Sequence, residues 1–419
     1  MAEFVIRGGR KLKGKIEIAG SKNTALSCIA AALLTEEEVL LENVPKISDV
    51  AVMTEIAKAL GAAAEHDLKK KTLRLCAKNL AISTVPETLG KKLRASMLFS
   101  GALVGRLKLA KLAPPGGDNI GARPLATHLN AFRALGATVE EREEIVIRGE
   151  GLRPSRITLE EPSVTATENA IFAAVLIPGK TEIHLAAAEP HVQETIKFLN
   201  QMGAKINWKD IGVLEIEGAK KLKGTRFRLN PDELEVSGFA ALAAATRSPL
   251  SLYGVEFKYL DAVLLQLDKM GIAYEREIDN LHIKEPGKEY RAFRIQSGLY
   301  PKLVSDHLPP FAVLATQATG DSLIHEWLYE GRLKYIEELK KMGATTRILD
   351  PHRALIQGPT RLQGTQIVSY DIRAGLTVIV AALVAEGETK VLGVEHVERG
   401  YENLEERLQK LGADIKRIN

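Results

Sequence analysis

The chain has 419 residues, too many for one ordinary hydrophobic core, and its 45% hydrophobic and 26% charged content is that of a folded globular protein, so two domains are expected. Its 57 basic and 53 acidic side chains are interspersed, leaving a net charge of +4 with no polybasic tail, and aromatics make up 5%. That balance argues against nucleic-acid or membrane binding through bulk charge and against a base-stacking platform.

From the N-terminus, Met1 leads into Glu3-Phe4-Val5-Ile6, a strand-like start with neither a basic nor an apolar targeting region. No apolar run is long enough to span a bilayer, and Cys28 and Cys76 read as buried thiols of a reducing compartment, so a cytoplasmic protein is expected. Gly9–Ile16 imitates a phosphate-binding loop, but Ile16 stands where Ser or Thr must reach a metal, and a strand follows instead of a helix. The nine histidines form no ligand-spaced cluster, so no metal site is read. Pro114-Pro115-Gly116-Gly117-Asp118-Asn119-Ile120-Gly121-Ala122-Arg123-Pro124 surrounds one acid and one arginine with glycine and proline, which describes either a flap carrying chemistry or a long hairpin turn.

A helix-like run ending in Leu/Met-Gly-Ala/Ile occurs six times, at Gly61, Gly136, Gly203, Gly271, Gly343 and Gly412, with spacings between 67 (Gly136 to Gly203) and 75 (Gly61 to Gly136). Each glycine reads as a helix C-terminal cap feeding a strand. Upstream lie alanine-rich helices such as Ala173-Ala174-Val175-Leu176, and several units open on Leu-x-Gly, as at Leu12-Lys13-Gly14, Leu222-Lys223-Gly224 and Leu362-Gln363-Gly364. Each unit reads strand, helix, strand, helix, then one or two strands. The period exceeds that of common solenoids, so closed α/β subdomains, three per domain, are expected.

Unusual residues collect at the strand-to-helix junctions: Ser21-Lys22-Asn23, Ser163-Val164-Thr165, Asp232-Glu233, Ser305-Asp306 and Asp371-Ile372-Arg373 at the first, and Asp118 with Arg123, Glu189, Glu330 with Arg332, and Glu398-Arg399 at the second. A helix N-terminus suits an anion, and a cation there opposes the helix dipole, so several of them point to a strongly anionic ligand. Each has an ordinary alternative: Ser21 or Asn23 as a helix cap, Asp371 with Arg373 as a surface ion pair, Glu330 with Arg332 and Glu398-Arg399 as solvated helix starts.

With these residues in place, the chain resembles the enolpyruvyl transferases, and within them the branch acting on UDP-N-acetylglucosamine. The likeness runs from Leu12-Lys13-Gly14 to Leu411-Gly412-Ala413 and rests on Gly20-Ser21-Lys22-Asn23, Leu93-Arg94-Ala95-Ser96, the flap, Ser163-Val164-Thr165-Ala166-Thr167-Glu168-Asn169, Asp371-Ile372-Arg373-Ala374 and Arg399-Gly400-Tyr401-Glu402. It implies a two-domain inside-out α/β barrel of three βαβαββ repeats per domain. Residues 1–21 and 231–419 would form a discontinuous domain carrying both termini, and 22–230 an inserted domain carrying the flap 114–124.

The implied reaction moves the enolpyruvyl group of phosphoenolpyruvate to the sugar 3-hydroxyl, releases phosphate, commits the sugar to peptidoglycan, and needs no metal or organic cofactor and no obligate protein partner. Lys22, Arg94, Arg123, Arg332, Arg373 and Arg399 would hold phosphates and carboxylate. Asp306 would be the base, and the flap would deliver a proton donor over the bound sugar nucleotide. Lys22 and Arg399 would also serve the chemistry. Asn23, Arg94, Arg123, Pro124, Leu125, Ser163, Val164, Thr165, Asp306 and Leu328 would contact the UDP-sugar.

Five positions depart from the family's usual pattern. Asp118 stands where the flap residue is usually cysteine, although aspartate occurs in some members. Free aspartate titrates near about 3.9, so proton donation near neutrality needs a rise of roughly 3 pH units, expected only in the closed, loaded state. Lacking a thiol there, the chain should form neither a covalent enolpyruvyl adduct nor a fosfomycin adduct. Ala126 replaces an aspartate, Glu161 a lysine found in some members, and Glu233 a common arginine, while the glutamine that commonly follows Asp306 is missing. These changes leave room for another acceptor or for a silent nucleotide-sugar-binding relative. RNA end-processing, known for a related repeat architecture, is disfavoured by the low aromatic content and the flap motif.

Overall fold

The computed structural model describes residues 2–418 apart from Asn119, Pro286 and Lys288, so Asn119 of the flap lies outside the described residues. The chain divides into two compact units: Met1–Ala19 with Asp118–Ala122 and Pro231–Asn419, and Gly20–Gly117 with Arg123–Asn230. Each has a separate hydrophobic core.

Three helices form the centre of each unit: Lys22–Ala31, Leu98–Leu107 and Val164–Ala174 in one, and Glu233–Ala245, Leu308–Gln317 and Ile372–Val384 in the other. Their sequences are apolar or small on every side, which is the composition of a helix with no solvent face. All 13 residues of Glu233–Ala245 are buried. Close approach needs small side chains: a Cβ at Gly101 would stand 2.6 Å from the Asn169 carbonyl, and one at Gly105 2.5 Å from that of Phe172. Among the described residues three small sheets lie around these helices in each unit, so each unit is an inside-out α/β barrel with helices within and sheets without.

A typical sheet is Arg156–Thr158 parallel to Lys180–His184, followed by antiparallel Val213–Glu217 and Lys205–Asp210. Two strands are exchanged along the sequence. Gly14–Glu17 precedes the Lys22 helix but pairs in parallel with Leu250–Tyr253, whereas Thr225–Arg228 precedes the Glu233 helix but pairs in parallel with Glu38–Glu42. The N-terminal Glu3–Arg7 lies antiparallel between Glu388–Leu392 and Asp414–Ile418.

The six repeat glycines all have positive φ, from 76° at Gly271 to 107° at Gly61. After each, the following N–H donates to the carbonyl five residues back: Ala62 to Ala57, Ala137 to Phe132, Ala204 to Leu199, Ile272 to Leu267, Ala344 to Leu339 and Ala413 to Leu408. These six Schellman caps end the outer helices and turn the chain into the next strand.

Two sequence expectations fail locally. Cys28 is buried, but Cys76 is only half-buried, because it ends the strand Thr72–Cys76 beside the exposed Glu38. Glu398 and Arg399 do not begin a helix: they close the short helix Glu395–Glu398, and Glu398 pairs with Arg417 at 2.8 Å.

Candidate active site

In the unit holding residues 231–419, charged side chains gather where the central helices begin. Asp371 caps Ile372–Val384, accepting from the N–H groups of Arg373 at 2.8 Å and Ala374 at 2.9 Å. The anionic cap satisfies the free helix donors and lets a cation sit on the first turn. Arg373, buried to 3%, does not pair with Asp371 at the surface; its Nη1 donates to the Tyr401 hydroxyl at 3.0 Å and its Nε to Asp306 Oδ2 at 3.3 Å. From the other side Arg332 Nη2 approaches Asp306 Oδ1 at 2.7 Å.

Asp306 sits in the turn Ser305–His307 that leads into Leu308–Gln317, with its side chain about one third exposed at 34%. It is therefore clamped by two buried guanidiniums and still open to a reactant. Burial pulls the Arg332 guanidinium down, but Asp306, Asp371 and Glu326 more than offset that and hold it above its ordinary value. Its buried Nε has no hydrogen-bond partner among the described residues, leaving a cationic donor suited to an anion. Burial pushes the Asp371 carboxyl up, against the pull of Arg332.

The central flap residues Asp118–Ala122 belong to this same unit. Arg399 Nη1 donates to Asp118 Oδ1, and His396 Nδ1 lies 3.8 Å from that oxygen. Glu330 accepts from the Ala122 N–H at 2.7 Å, and the Gly331 N–H donates to the Ile120 carbonyl at 3.0 Å. Gly121, at φ +141°, is required there, because a Cβ would stand 2.4 Å from the Glu330 carboxylate. Glu330 is thus no solvated helix start, the ordinary alternative for it, but anchors the flap. Leu328 is half-buried in the turn between Glu326 and Arg332.

Glu233 opens its helix almost fully buried, and burial with the neighbouring Asp232 pushes its carboxyl up to about 8. Asp232 itself caps the helix by accepting from Leu234 and Glu235.

The other unit carries Lys22, Asn23, Arg94, Arg123, Pro124, Leu125, Ser163, Val164 and Thr165. Ser21 caps the Lys22 helix through a long 3.4 Å bond from Thr24, and Lys22 pairs with Asp49 at 3.3 Å. Asp49 lies in the first turn of Ser48–Ala59, where a carboxylate suits the dipole. Arg94 Nη2 donates to the Pro124 carbonyl at 3.3 Å, which ties the root of the flap to the turn Arg94–Met97. Gly117, at φ +113°, brings the backbone close: a Cβ would lie 3.1 Å from the Arg94 nitrogen and 3.6 Å from Arg123 Nη2.

Thr165 meets His128 Nε2 at 3.1 Å, and Asn169 meets His128 Nδ1 at 3.0 Å. Burial, with Arg94 nearby, pushes His128 down to about 3, so its ring stays neutral and serves as a spacer under the Ser163–Thr165 junction. Asn23 and Leu125 are half-buried and Pro124 exposed. Of the departures, Ala126 opens its helix exposed and Glu161 is exposed, so neither is a core requirement.

Sequence reasoning missed Asp49, Glu326, His128 and His396 as partners of the predicted residues. Asp49 alone left a local trace, as a first-turn acid after Ser48. Tyr401, quoted only as part of a motif, is the buried hydroxyl that aligns Arg373.

One unit holds an arginine-clamped carboxylate and a flap acid tied to Arg399, groups suited to proton transfer near an anion, and the other holds the cations Lys22, Arg94 and Arg123. The chain matches the model of the family described as EPSP synthase (3-phosphoshikimate 1-carboxyvinyltransferase) over residues 6–408 and belongs to that enolpyruvyl transferase family. It is 43% identical to the UDP-N-acetylglucosamine 1-carboxyvinyltransferase of Treponema denticola, over 99% of both chains. It is 41% identical to the protein of that name from Bradyrhizobium diazoefficiens, over 99% of this chain and 98% of the other. Among solved structures, the enolpyruvyl transferase NikO of Streptomyces tendae superposes with a TM-score of 0.91 at 26% identity, covering 100% of this chain and 99% of that one.

Proposed function

We propose that this chain transfers the enolpyruvyl group of phosphoenolpyruvate to the 3-hydroxyl of UDP-N-acetylglucosamine, releasing phosphate, in the cytoplasm and as the first committed step of peptidoglycan synthesis. The observation that carries the reading is Asp306, held at 2.7 Å by Arg332 and 3.3 Å by Arg373 while a third of its side chain stays open. Relatives that carry the name of this activity, alike over nearly the full length of the chain, support the choice of donor and acceptor.

In this reading residues 1–21 with 231–419 form one domain and 22–230 the other, which carries the flap 114–124 in sequence while the flap residues Asp118–Ala122 group with the first. Asp306 takes the proton of the sugar hydroxyl as its oxygen bonds to carbon 2 of phosphoenolpyruvate. Asp118 supplies the proton that makes carbon 3 a methyl group and carbon 2 oxocarbenium-like. Phosphate then departs with the proton held by Asp306, and one carbon 3 proton returns to Asp118, restoring the double bond and both carboxyl groups to their starting states, so atoms and charge balance. Lys22, Arg94, Arg123, Arg332, Arg373 and Arg399 hold the phosphates and carboxylate, arginine forks being matched to both. Asn23, Pro124, Leu125, Ser163, Val164, Thr165 and Leu328 line the sugar-nucleotide side. Side chains alone perform these steps, and no metal or organic cofactor enters them.

The test is to incubate the purified protein with both substrates and measure phosphate and product mass. Phosphate release that requires both, with an enolpyruvyl-sized gain on the sugar nucleotide, supports the reading. Binding of the sugar nucleotide with no phosphate release would overturn it.

A further inference from the structure

Glu326 follows the strand Ala318–His325 and has no exposed surface. A carboxylate in such a place is retained only where its lone pairs are met, and here they are. Its Oε1 accepts from the Ser297 hydroxyl at 3.1 Å and from the N–H groups of Leu328 at 2.9 Å and Tyr329 at 3.2 Å. Its Oε2 accepts from the Ser305 hydroxyl at 2.6 Å. The backbone is fixed as well, since the Glu326 N–H donates to the His352 carbonyl at 2.8 Å and its own carbonyl meets His352 Nδ1 at 2.9 Å.

Ser305 Oγ is also the acceptor for Arg332 Nη1 at 2.7 Å, and Arg332 Nη2 reaches Asp306 at 2.7 Å. A guanidinium can only donate and an ionised carboxylate can only accept, so the single Ser305 proton must point to Glu326. The polarity of the chain Glu326–Ser305–Arg332–Asp306 is thereby set. Ser305 adjoins Asp306 in the same turn, and the bonds to Leu328 and Tyr329 shape the segment that leads to Arg332.

We propose that Glu326 is a positioning residue for the reaction: through the Ser305 hydroxyl it fixes the Arg332 guanidinium, and through Arg332 the Asp306 carboxylate. The proposal rests on the reading of Asp306 as the base. Glu326→Gln tests the polarity with little change of volume. With its amide nitrogen toward Ser305, the hydroxyl would face two donors and its own proton would lose its acceptor; turned the other way, the amide would set N–H against the N–H groups of Leu328 and Tyr329. Either orientation loosens Arg332.

The expected result for E326Q is a fall in kcat on the order of 10- to 100-fold, the scale of a misplaced catalytic group. Ser305→Ala, which keeps the carboxylate, should give a similar loss, and the double variant should be no worse than either single one. Ser297→Ala removes the other hydroxyl bonded to Glu326 and separates packing from positioning: its Tm should fall while kcat stays within about twofold of wild type. Wild-type kcat in both E326Q and S305A, or a loss in S297A equal to theirs, would overturn the proposal. A wild-type protein that releases no phosphate would count against the functional reading instead. In that event the crystal structure of E326Q decides this proposal alone: an Arg332–Asp306 contact displaced from 2.7 Å supports it, and an unchanged contact refutes it.

Discussion

Two cations of one unit, Arg332 and Arg373, are held differently from Lys22, Arg94 and Arg123 of the other. Arg332 and Arg373 are buried to 4% and 3% and each is bonded on more than one side, so their geometry exists before any ligand arrives. Lys22, Arg94 and Arg123 are half-buried, and Lys22 pairs with Asp49. Burying an ion costs several kcal/mol unless it is paired, so the cost is borne only where orientation matters. The first arrangement suits the reacting atoms, where preorganised charge lowers a barrier. The second suits capture of a flexible, highly charged substrate.

The contrast can be broken most forcefully at Asp306. Asp306→Asn keeps the shape but removes the base, and kcat should fall on the order of 10²- to 10⁴-fold in a phosphate-release assay. Next comes Arg373→Lys, which keeps the charge but loses the fork that reaches both Asp306 and Tyr401. A drop of about 10- to 100-fold, mainly in kcat, is expected, since a point charge cannot reproduce two fixed bonds. The matching change in the other unit, Arg123→Lys, should act mainly on KM, by roughly tenfold or less, and should grow with ionic strength because partly exposed charges are screened. Equal effects of the two lysine variants on kcat would erase the distinction.

The smallest effect concerns stability. The inserted unit also buries a titratable acid, Glu168. Glu168, in the helix Val164–Ala174, is pushed up to about 8 by burial, with Ser27 pulling the other way and Glu189 adding to the rise. A raised folded pKa means that its contribution is complete below the unfolded value near 4.5 and is lost as pH rises through about 8. Glu168→Gln should therefore match wild type near pH 4.5 and exceed its Tm by a few degrees near pH 8.5, read by thermal melts across that range. A pH-independent difference would show that Glu168 does not titrate in this window.

What could be read from sequence was what is local. The six cap glycines were legible because a left-handed C-cap needs only a few consecutive residues, and every one adopts it. Lys22, Arg373 and Asp306 stood out because each lies beside a helix start. Glu326 did not, since its four partners come from Ser297, Ser305, Leu328 and Tyr329, two of them more than 20 residues away. Arg399 was assigned to the wrong end of a helix, because a four-residue helix leaves no periodicity to read. The surface ion pair that was the ordinary alternative for Asp371 and Arg373 gave way to a cap on one side and a buried clamp on the other, a choice made by tertiary packing.

The most direct test of the central claim is to run the reaction with phosphoenolpyruvate and UDP-N-acetylglucosamine in deuterated water and record the proton spectrum of the product. If Asp306 activates the 3-hydroxyl and Asp118 protonates carbon 3, the product is an enol ether on O3, and deuterium appears in its methylene group. An enol ether on another oxygen, a methylene free of deuterium, or release of phosphate with no sugar product would contradict the account.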